Sequence, residues 1–146
     1  MKTVDVTPGT PGPSADRGAW PPDPQAELVL SVEDDLLVLA RLTVSAVAAR
    51  GGFDVEEIED LRLAVDELCL LVLGGRRTGR LELAMAVEPG CIDVWCRYDG
   101  PDLLPDGDDE RELSERILDA LVDEHGPASR DGRSGAHLCK RHASGS

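Results

Sequence analysis

The segment "DLRLAVDELCLLVL" (residues 60–73) decides the fold, because it has the pattern of a helix with two apolar surfaces. One surface has the spacing of three and four that places a helix on a core, and it comprises Ile58, Leu61, Val65, Leu68 and Val72. The second surface comprises Leu63, Ala64, Leu70 and Leu71. Glu67 lies within this second surface, so the sequence raises the question of what covers it and what the carboxylate does there.

Length and charge exclude several classes of function. The 146 residues allow one domain with a real core. Fifteen basic and 29 acidic residues give a net charge of -14 and a pI of about 4.4. This surface repels phosphate backbones and anionic lipid, so we expect no direct nucleic-acid or membrane binding, and a basic protein partner fits better. There is no signal-peptide pattern and no apolar run of about 18 residues, so we expect a cytoplasmic protein.

The chain divides into a tail and one domain. Six of the ten prolines fall between Pro8 and Pro24, among Gly, Ser, Thr and Asp. Such a composition cannot bury enough apolar area to offset the cost of ordering, so residues 1–25 are predicted to be a disordered tail. Residues 26–142 form the predicted domain, and residues 143–146 a disordered C-terminus.

Helix and strand signals alternate along the domain. A strand is predicted in "AELVLSV", then one helix in "EDDLLVLARLTVSAVAARGGF" and a second that begins at "VEEIED" and stops at Gly74-Gly75. Two strands joined by "EPG" follow, then a helix in "LSERILDALVDEHG" and a last strand in "GAHLCKRH". Leu113 belongs to the stripe that the third helix is expected to bury. The order β-α-α-β-β-α-β predicts a two-layer α/β sandwich, with helices on one face of a mostly antiparallel sheet.

The four cysteines are predicted to be buried thiols, and no metal site is predicted. Cys91 and Cys96 are five residues apart in a strand, so they point to opposite faces and cannot bind one ion together. The stretch "HLCKRH" offers His137, Cys139 and His142 as ligands. Two of these lie at or beyond the strand end, and no fourth ligand is close in sequence.

The order of elements and the two first helices resemble the RsbW-type anti-sigma factors, of the actinobacterial branch that restrains stress- and development-type sigma factors. The resemblance rests on residues 40–69, "ARLTVSAVAARGGFDVEEIEDLRLAVDELC", on "RYDG" and on "RILDALVDEHG". These proteins belong to the GHKL ATP-binding superfamily, so the resemblance implies a GHKL (Bergerat) sandwich. It also implies a sigma factor and a STAS-type anti-anti-sigma protein as partners, and a homodimer.

The resemblance places Glu67 at the general-base position of active members and Leu71 at the position of their Mg²⁺-binding Asn. Leu71 has no oxygen for a hard cation, so Glu67 is expected to be inactive. In "YDGPD", anchoring on Gly100 puts Tyr98 where the family has its adenine-reading Asp. Sliding the match by one recovers Asp99 but moves Gly100 out of place. Asp99 and Gly100 are thus either remnants of a cofactor-binding site or an ordinary turn, which we favour.

The family's phosphate-binding glycines correspond to Glu112 and Ser114, in a stretch, residues 99–124, with eleven acidic and two basic residues. A Glu at that position would repel a triphosphate. We therefore expect no cofactor, and ATP with Mg²⁺ only if the site still works.

Partner contacts are expected at the first helix and at the start of the second. Arg41 matches a family arginine that contacts both partners, although its stem could also pack on apolar surface with the head in water. The first helix is apolar nearly all round, which favours an interface. The interface candidates are Arg41, Leu37, Val38, Val44, Val47, Glu56 and Glu57. Some of the four apolar residues are better explained as core residues, and dipole complementarity alone also accounts for the two Glu residues.

Two functions of different classes follow. The first is a binding module, an anti-sigma factor that sequesters an alternative sigma factor and is released by partner switching. The second is an enzyme, an ATP-dependent serine kinase that phosphorylates an anti-anti-sigma protein through Glu67. This sequence departs from the family pattern at the magnesium, adenine and phosphate positions, and these departures favour the anti-sigma factor over the kinase.

Overall fold

The computed structural model describes residues 18–101 and 108–143 and shows an α/β fold, as predicted. A five-stranded antiparallel sheet in the order β1-β2-β3-β5-β4 carries three helices. The elements in chain order are β1 (Ala26–Ser31), α1 (Asp34–Ala49), α2 (Val55–Leu73), β2 (Arg80–Glu88), β3 (Cys91–Asp99), α3 (Asp108–Leu121), β4 (Glu124–Arg130) and β5 (Arg133–Arg141). Within the described stretches, none of the helices is long and apolar enough to span a bilayer.

Strand β4 is absent from the predicted order. The third helix ends at Leu121, and "EHGPASR" pairs with β5 as the outermost strand. Pro127 is tolerated there because an edge strand needs hydrogen-bond donors on one side only. A turn at Asp131 and Gly132, both with positive φ, connects the two strands, as expected for a type I′ hairpin.

The core lies between the helices and one face of the sheet, which we call the inner face. Alternate residues of the central strands point inward, and they include Leu81, Leu83, Met85, Ile92, Val94, Cys96 and Leu138, all less than 2% exposed. Cys96 faces inward and Cys91 outward, as their spacing predicted. Leu113 was wrongly assigned to the buried stripe of α3: it is 59% exposed, and Leu118 is the fully buried residue of that helix.

Helix α2 is fixed at both ends. Asp54 accepts a hydrogen bond from the Glu57 backbone N–H, and Glu57 accepts one from the Asp54 N–H, which completes a capping box. At the other end Gly74 adopts the left-handed conformation (φ 57°) and donates to the Leu70 carbonyl. These signals stop the helix where the sequence predicted.

The opposite face of the sheet, the outer face, is largely polar. Ala84, Trp95 and Ala128 form a small buried cluster there, against which Trp20 packs. Residues 18–25, predicted to belong to the tail, include a bridge from Ala19 to Ser129 and the packed Trp20 side chain. Residues 1–17, 102–107 and 144–146 lie outside the described residues.

Candidate functional site

Glu67 lies in a cleft of about 500 Å³ between α2 and α3. The cleft is mostly apolar, and its lining consists of Leu63, Asp66, Glu67, Arg116, Ile117, Ala120 and Leu121. The carboxylates of α2 thus face one guanidinium of α3 across apolar side chains. This cleft is where the second apolar surface of α2 meets a neighbour, which answers part of the question that the sequence raised.

The second apolar surface of α2 has mixed burial. Ala64 is fully buried, and Leu71 is partly buried against the core. Leu63, which lines the cleft, and Leu70 are each 54% exposed. Leu71 therefore contributes a methyl-bearing side chain to core packing, and Leu63 and Leu70 leave apolar surface in contact with solvent.

Arg41 of α1 forms an ion pair with Asp66 of α2. Arg41 Nε lies 3.2 Å from Asp66 Oδ1, although the alignment is not that of a hydrogen bond. Both side chains are about one-third exposed. Burial raises the pKa of Asp66, and the charges of Arg41 and Arg62 oppose that shift. The arginine predicted to contact partners thus packs against the carboxylate next to Glu67.

Glu57, predicted as an interface residue, is buried and serves the helix cap. Its carboxylate accepts hydrogen bonds from the backbone N–H groups of Asp54 and Ala143, and His142 Nδ1 lies 2.7 Å away. Burial alone would raise the pKa of Glu57, but these hydrogen bonds and the nearby His142 together lower it to about 2. Glu56 is exposed, so it is the acidic side chain of this pair that a partner could reach.

Asp99 and Gly100 lie away from the cleft. Asp99 is on the outer face, and its carboxylate accepts a hydrogen bond from Arg133 at 3.1 Å. Tyr98 points to the inner face, donates its hydroxyl hydrogen bond to the Thr78 carbonyl and carries the Arg76 guanidinium over its ring. A Cβ at Gly100 would clash with the Tyr98 hydroxyl and press against the Gly79 backbone. Gly100 is therefore required by local packing.

The two residues that the resemblance was expected to place at phosphate-binding positions lie on α3. Glu112 is exposed and Ser114 is buried. The backbone N–H groups of both are inside the helix and are not at its start.

The predicted interface residues of α1 differ in how deeply they are buried. Val44 and Val47 are in the core, and Leu37 and Val38 are half-buried. The exposed apolar stripe of α1 lies on another side of the helix and was not predicted. It consists of Leu39, Leu42, Ala46 and Ala49. Leu39 is 40% and Leu42 54% exposed. Spacings of three and four recur among these four residues, so a helical-wheel count anchored on Ala40, Val44 and Ala48 as the core would have found them.

No family model matches the chain. Similarity extends over 43 residues, 30% of the chain, to proteins named serine-protein kinase RsbW. The identity is 42% with the Bacillus velezensis and Bacillus subtilis proteins and 44% with the Bacillus pumilus protein. The matched part spans about a quarter of the length of these relatives. With its α/β architecture, the chain is thus partly similar to the RsbW serine-protein kinases.

Proposed function

We propose that this protein is an anti-sigma factor that sequesters a sigma factor by direct binding, and that a STAS-type anti-anti-sigma protein releases it by partner switching. We further propose that its nucleotide site is degenerate. The similarity to RsbW proteins supports the first part. The lining of the cleft supports the second.

The observation that carries the proposal is the position of Leu71. One turn after Glu67, where phosphoryl transfer would need a magnesium ligand on the same helix face, the side chain is a leucine packed against the core. The cleft around Glu67 adds Asp66 and apolar side chains, and Arg116 is the one cationic side chain among the described lining residues. These residues do not fit a magnesium triphosphate, because Leu71 offers the metal no oxygen and the mostly apolar lining supplies little positive charge to balance the phosphates.

A protein partner suits the outside of the helical layer. Leu39 and Leu42 of α1 expose apolar surface, and the exposed Asp34, Asp35 and Glu56 lie at helix starts. Apolar side chains bordered by charge are typical of protein interfaces. The net charge of -14 favours a partner with a basic surface.

Capture experiments test the binding. The immobilised full chain should retain a purified sigma factor, and excess of a STAS-type protein should release it. Leu39→Glu with Leu42→Glu should weaken retention by roughly 100-fold or more, since charges would enter an apolar contact. Val29→Glu is the matched control: Val29 is 58% exposed but lies on the outer face, so retention should not change. If both variants retain the sigma factor equally well, the exposed leucines of α1 are not part of the interface.

The proposal includes a homodimer that forms through the same exposed surface of α1, at Leu39 and Leu42. Sedimentation of the chain should show a dimer that dissociates in the Leu39→Glu, Leu42→Glu variant. A dimer unaffected by that variant would place the self-contact elsewhere.

The active kinase is the second candidate, favoured by Glu67 in the cleft and by the name of the relatives. Incubation with labelled ATP, Mg²⁺ and a STAS-type protein should give no transfer. ATP at ten times its Kd would add about 1.4 kcal/mol of stability, so thermal unfolding detects binding. Transfer that Glu67→Gln abolishes and Glu59→Gln leaves intact would establish the kinase, because Glu59 is an exposed residue of the same helix outside the cleft.

A further inference from the structure

Two cysteines and a carboxylate converge on the outer face of the sheet. Cys91 and Asp93 point outward from β3, and Cys139 points outward from β5, opposite Asp93. One donor atom from each of the three lies within 4.8 Å of the others. The sheet brings them together, since β3 and β5 are paired strands that are distant in sequence.

The distances match those of a tetrahedral metal site. The Sγ atoms of Cys91 and Cys139 are 3.7 Å apart. With zinc–sulfur bonds of about 2.3 Å, two thiolates on one tetrahedral zinc lie about 3.8 Å apart. Asp93 Oδ2 is 4.0 Å from Cys91 Sγ, where a shared zinc requires about 3.6 Å, a difference that a small rotation of the carboxylate removes.

His137 contacts the Asp93 carboxylate at the oxygen that faces away from Cys91. Its Nε2 lies 2.9 Å from Asp93 Oδ1, the oxygen that the cysteine contact does not use. The His137 side chain is 4% exposed and packs against the Trp95 ring, with the ring centroids 5.2 Å apart and the planes tilted by 41°, so the imidazole is held in place. Carboxylates that bind a metal are commonly hydrogen-bonded in this way by a second group, which orients them.

A second group of possible ligands, Asp54, Glu57 and His142, differs in kind. It has no sulfur, and both oxygens of Glu57 already accept hydrogen bonds from backbone N–H groups in the cap of α2. Its geometry is explained by the cap, whereas Cys91, Asp93 and Cys139 form no helix cap and bring two sulfur atoms together on paired strands.

We propose that Cys91, Cys139 and Asp93 bind a zinc-class divalent cation, with His137 as the positioning residue that orients Asp93. Sulfur ligands select zinc over magnesium or calcium. Both thiols lose their protons on binding, so uptake of one metal ion releases up to two protons to the buffer. Three protein ligands leave the fourth tetrahedral position to water or to an external group. The ion would join β3 and β5 on the face opposite the cleft, and this proposal is independent of the anti-sigma function.

Titration of the full chain with Co²⁺ and Zn²⁺ alone, in a non-thiol reductant, tests the site. One equivalent of Co²⁺ should give the visible bands of tetrahedral cobalt and thiolate charge-transfer absorption, and one equivalent of Zn²⁺ should displace it and raise the Tm. Cys91→Ser and Cys139→Ser should each weaken Zn²⁺ binding by more than about 100-fold. His137→Gln should weaken it by about 10- to 100-fold while thiolate absorption persists.

Cys69→Ala is the matched control, because Cys69 is a buried thiol of α2 on the other side of the sheet. It should bind metal as the unaltered chain does. Circular dichroism of each variant separates lost binding from lost folding. Cobalt spectra without thiolate absorption, or equal loss in Cys69→Ala, would overturn the proposal. So would a Cys91–Cys139 disulfide in a chain that, once reduced, takes up no zinc.

Discussion

The inner and outer faces of the sheet are made by the same strands but are stabilised differently. On the inner face, the fully buried side chains of β2, β3 and β5 are apolar and pack under the helices. On the outer face, polar groups pair with one another: Glu82 with Arg97 and Arg130, and Asp93 with His137. One face depends on removing apolar area from water, and the other on matching partners whose loss leaves a buried charge behind.

The two faces therefore differ in what a substitution costs. A shortened inner side chain leaves a cavity, and the cost follows the lost volume. A shortened outer side chain leaves its partner unpaired, and the cost is recovered when the partner is also replaced. Four substitutions follow, ordered from the largest effect to the smallest: the first two test this difference directly, and the other two extend it to polar contacts of the helices.

Leu138→Ala should have the largest effect. Leu138 is completely buried at the centre of β5, facing the helices. The free energy of unfolding should fall by about 2–5 kcal/mol, measured by urea denaturation. A loss below about 1 kcal/mol would show that the inner face is loosely packed and that the contrast between the faces is overstated.

Glu82→Leu should cost about 3 kcal/mol, because it leaves Arg97 buried without its carboxylate. The Arg97 side chain is 8% exposed, and its Nε donates to Glu82 Oε1 at 2.9 Å. Adding Arg97→Met should restore most of the loss in the same denaturation experiment. Additive losses in the double variant would mean that the pair is not coupled, and that the outer face is stabilised by packing alone.

Glu57→Gln should cost about 1–2 kcal/mol at neutral pH, since it weakens the cap of α2. The pKa of Glu57 is about 2 in the folded chain, below its ordinary value of 4.5, so its carboxylate stabilises fully above about pH 5 and progressively less as the pH falls towards 2. Urea denaturation of both proteins at several pH values should show the difference shrinking in that range. Glu59→Gln, a change at an exposed residue two positions further along the same helix, is the control, and a pH-independent difference would contradict the assignment.

Arg41→Ala should have the smallest effect on stability, at most about 1 kcal/mol, because its ion pair with Asp66 is one-third exposed. A double-mutant cycle with Asp66→Ala measures the coupling. If retention of a sigma factor falls far more than stability does, Arg41 contacts the partner. If both are unchanged, the pair is a surface contact only.

Much of the inner face could be predicted from the sequence, because its signals are local. Alternating apolar residues predict β2 and β3. The acidic residues at the start of α2 and the glycines after Leu73 predict where that helix begins and ends. The exposed face of α1 is harder to predict: Val44 and Val47, which were interface candidates, are buried, whereas Leu39 and Leu42 are exposed. An apolar residue at an interface and one in the core have the same composition, so only packing distinguishes them.

Strand β4 and the outer-face contacts could not be predicted in the same way. The segment "EHGPASR" lacks β-branched residues, and only the Asp131-Gly132 turn signals that a hairpin follows. Cys91 and Cys139 are 48 residues apart, so their contact depends on how β3 and β5 are aligned. Spacing within either strand gives no information on that register.

The hydrogen bond from the Ala143 N–H to Glu57, together with His142 Nδ1, ties the end of β5 to the first turn of α2. Glu57 and Ala143 are 86 residues apart in the sequence. During synthesis, helix α2 therefore emerges from the ribosome long before the segment after β5 that completes its cap. The start of α2 can therefore reach its final stability only after translation has passed residue 143. A chain halted earlier would present a frayed helix start to chaperones or proteases.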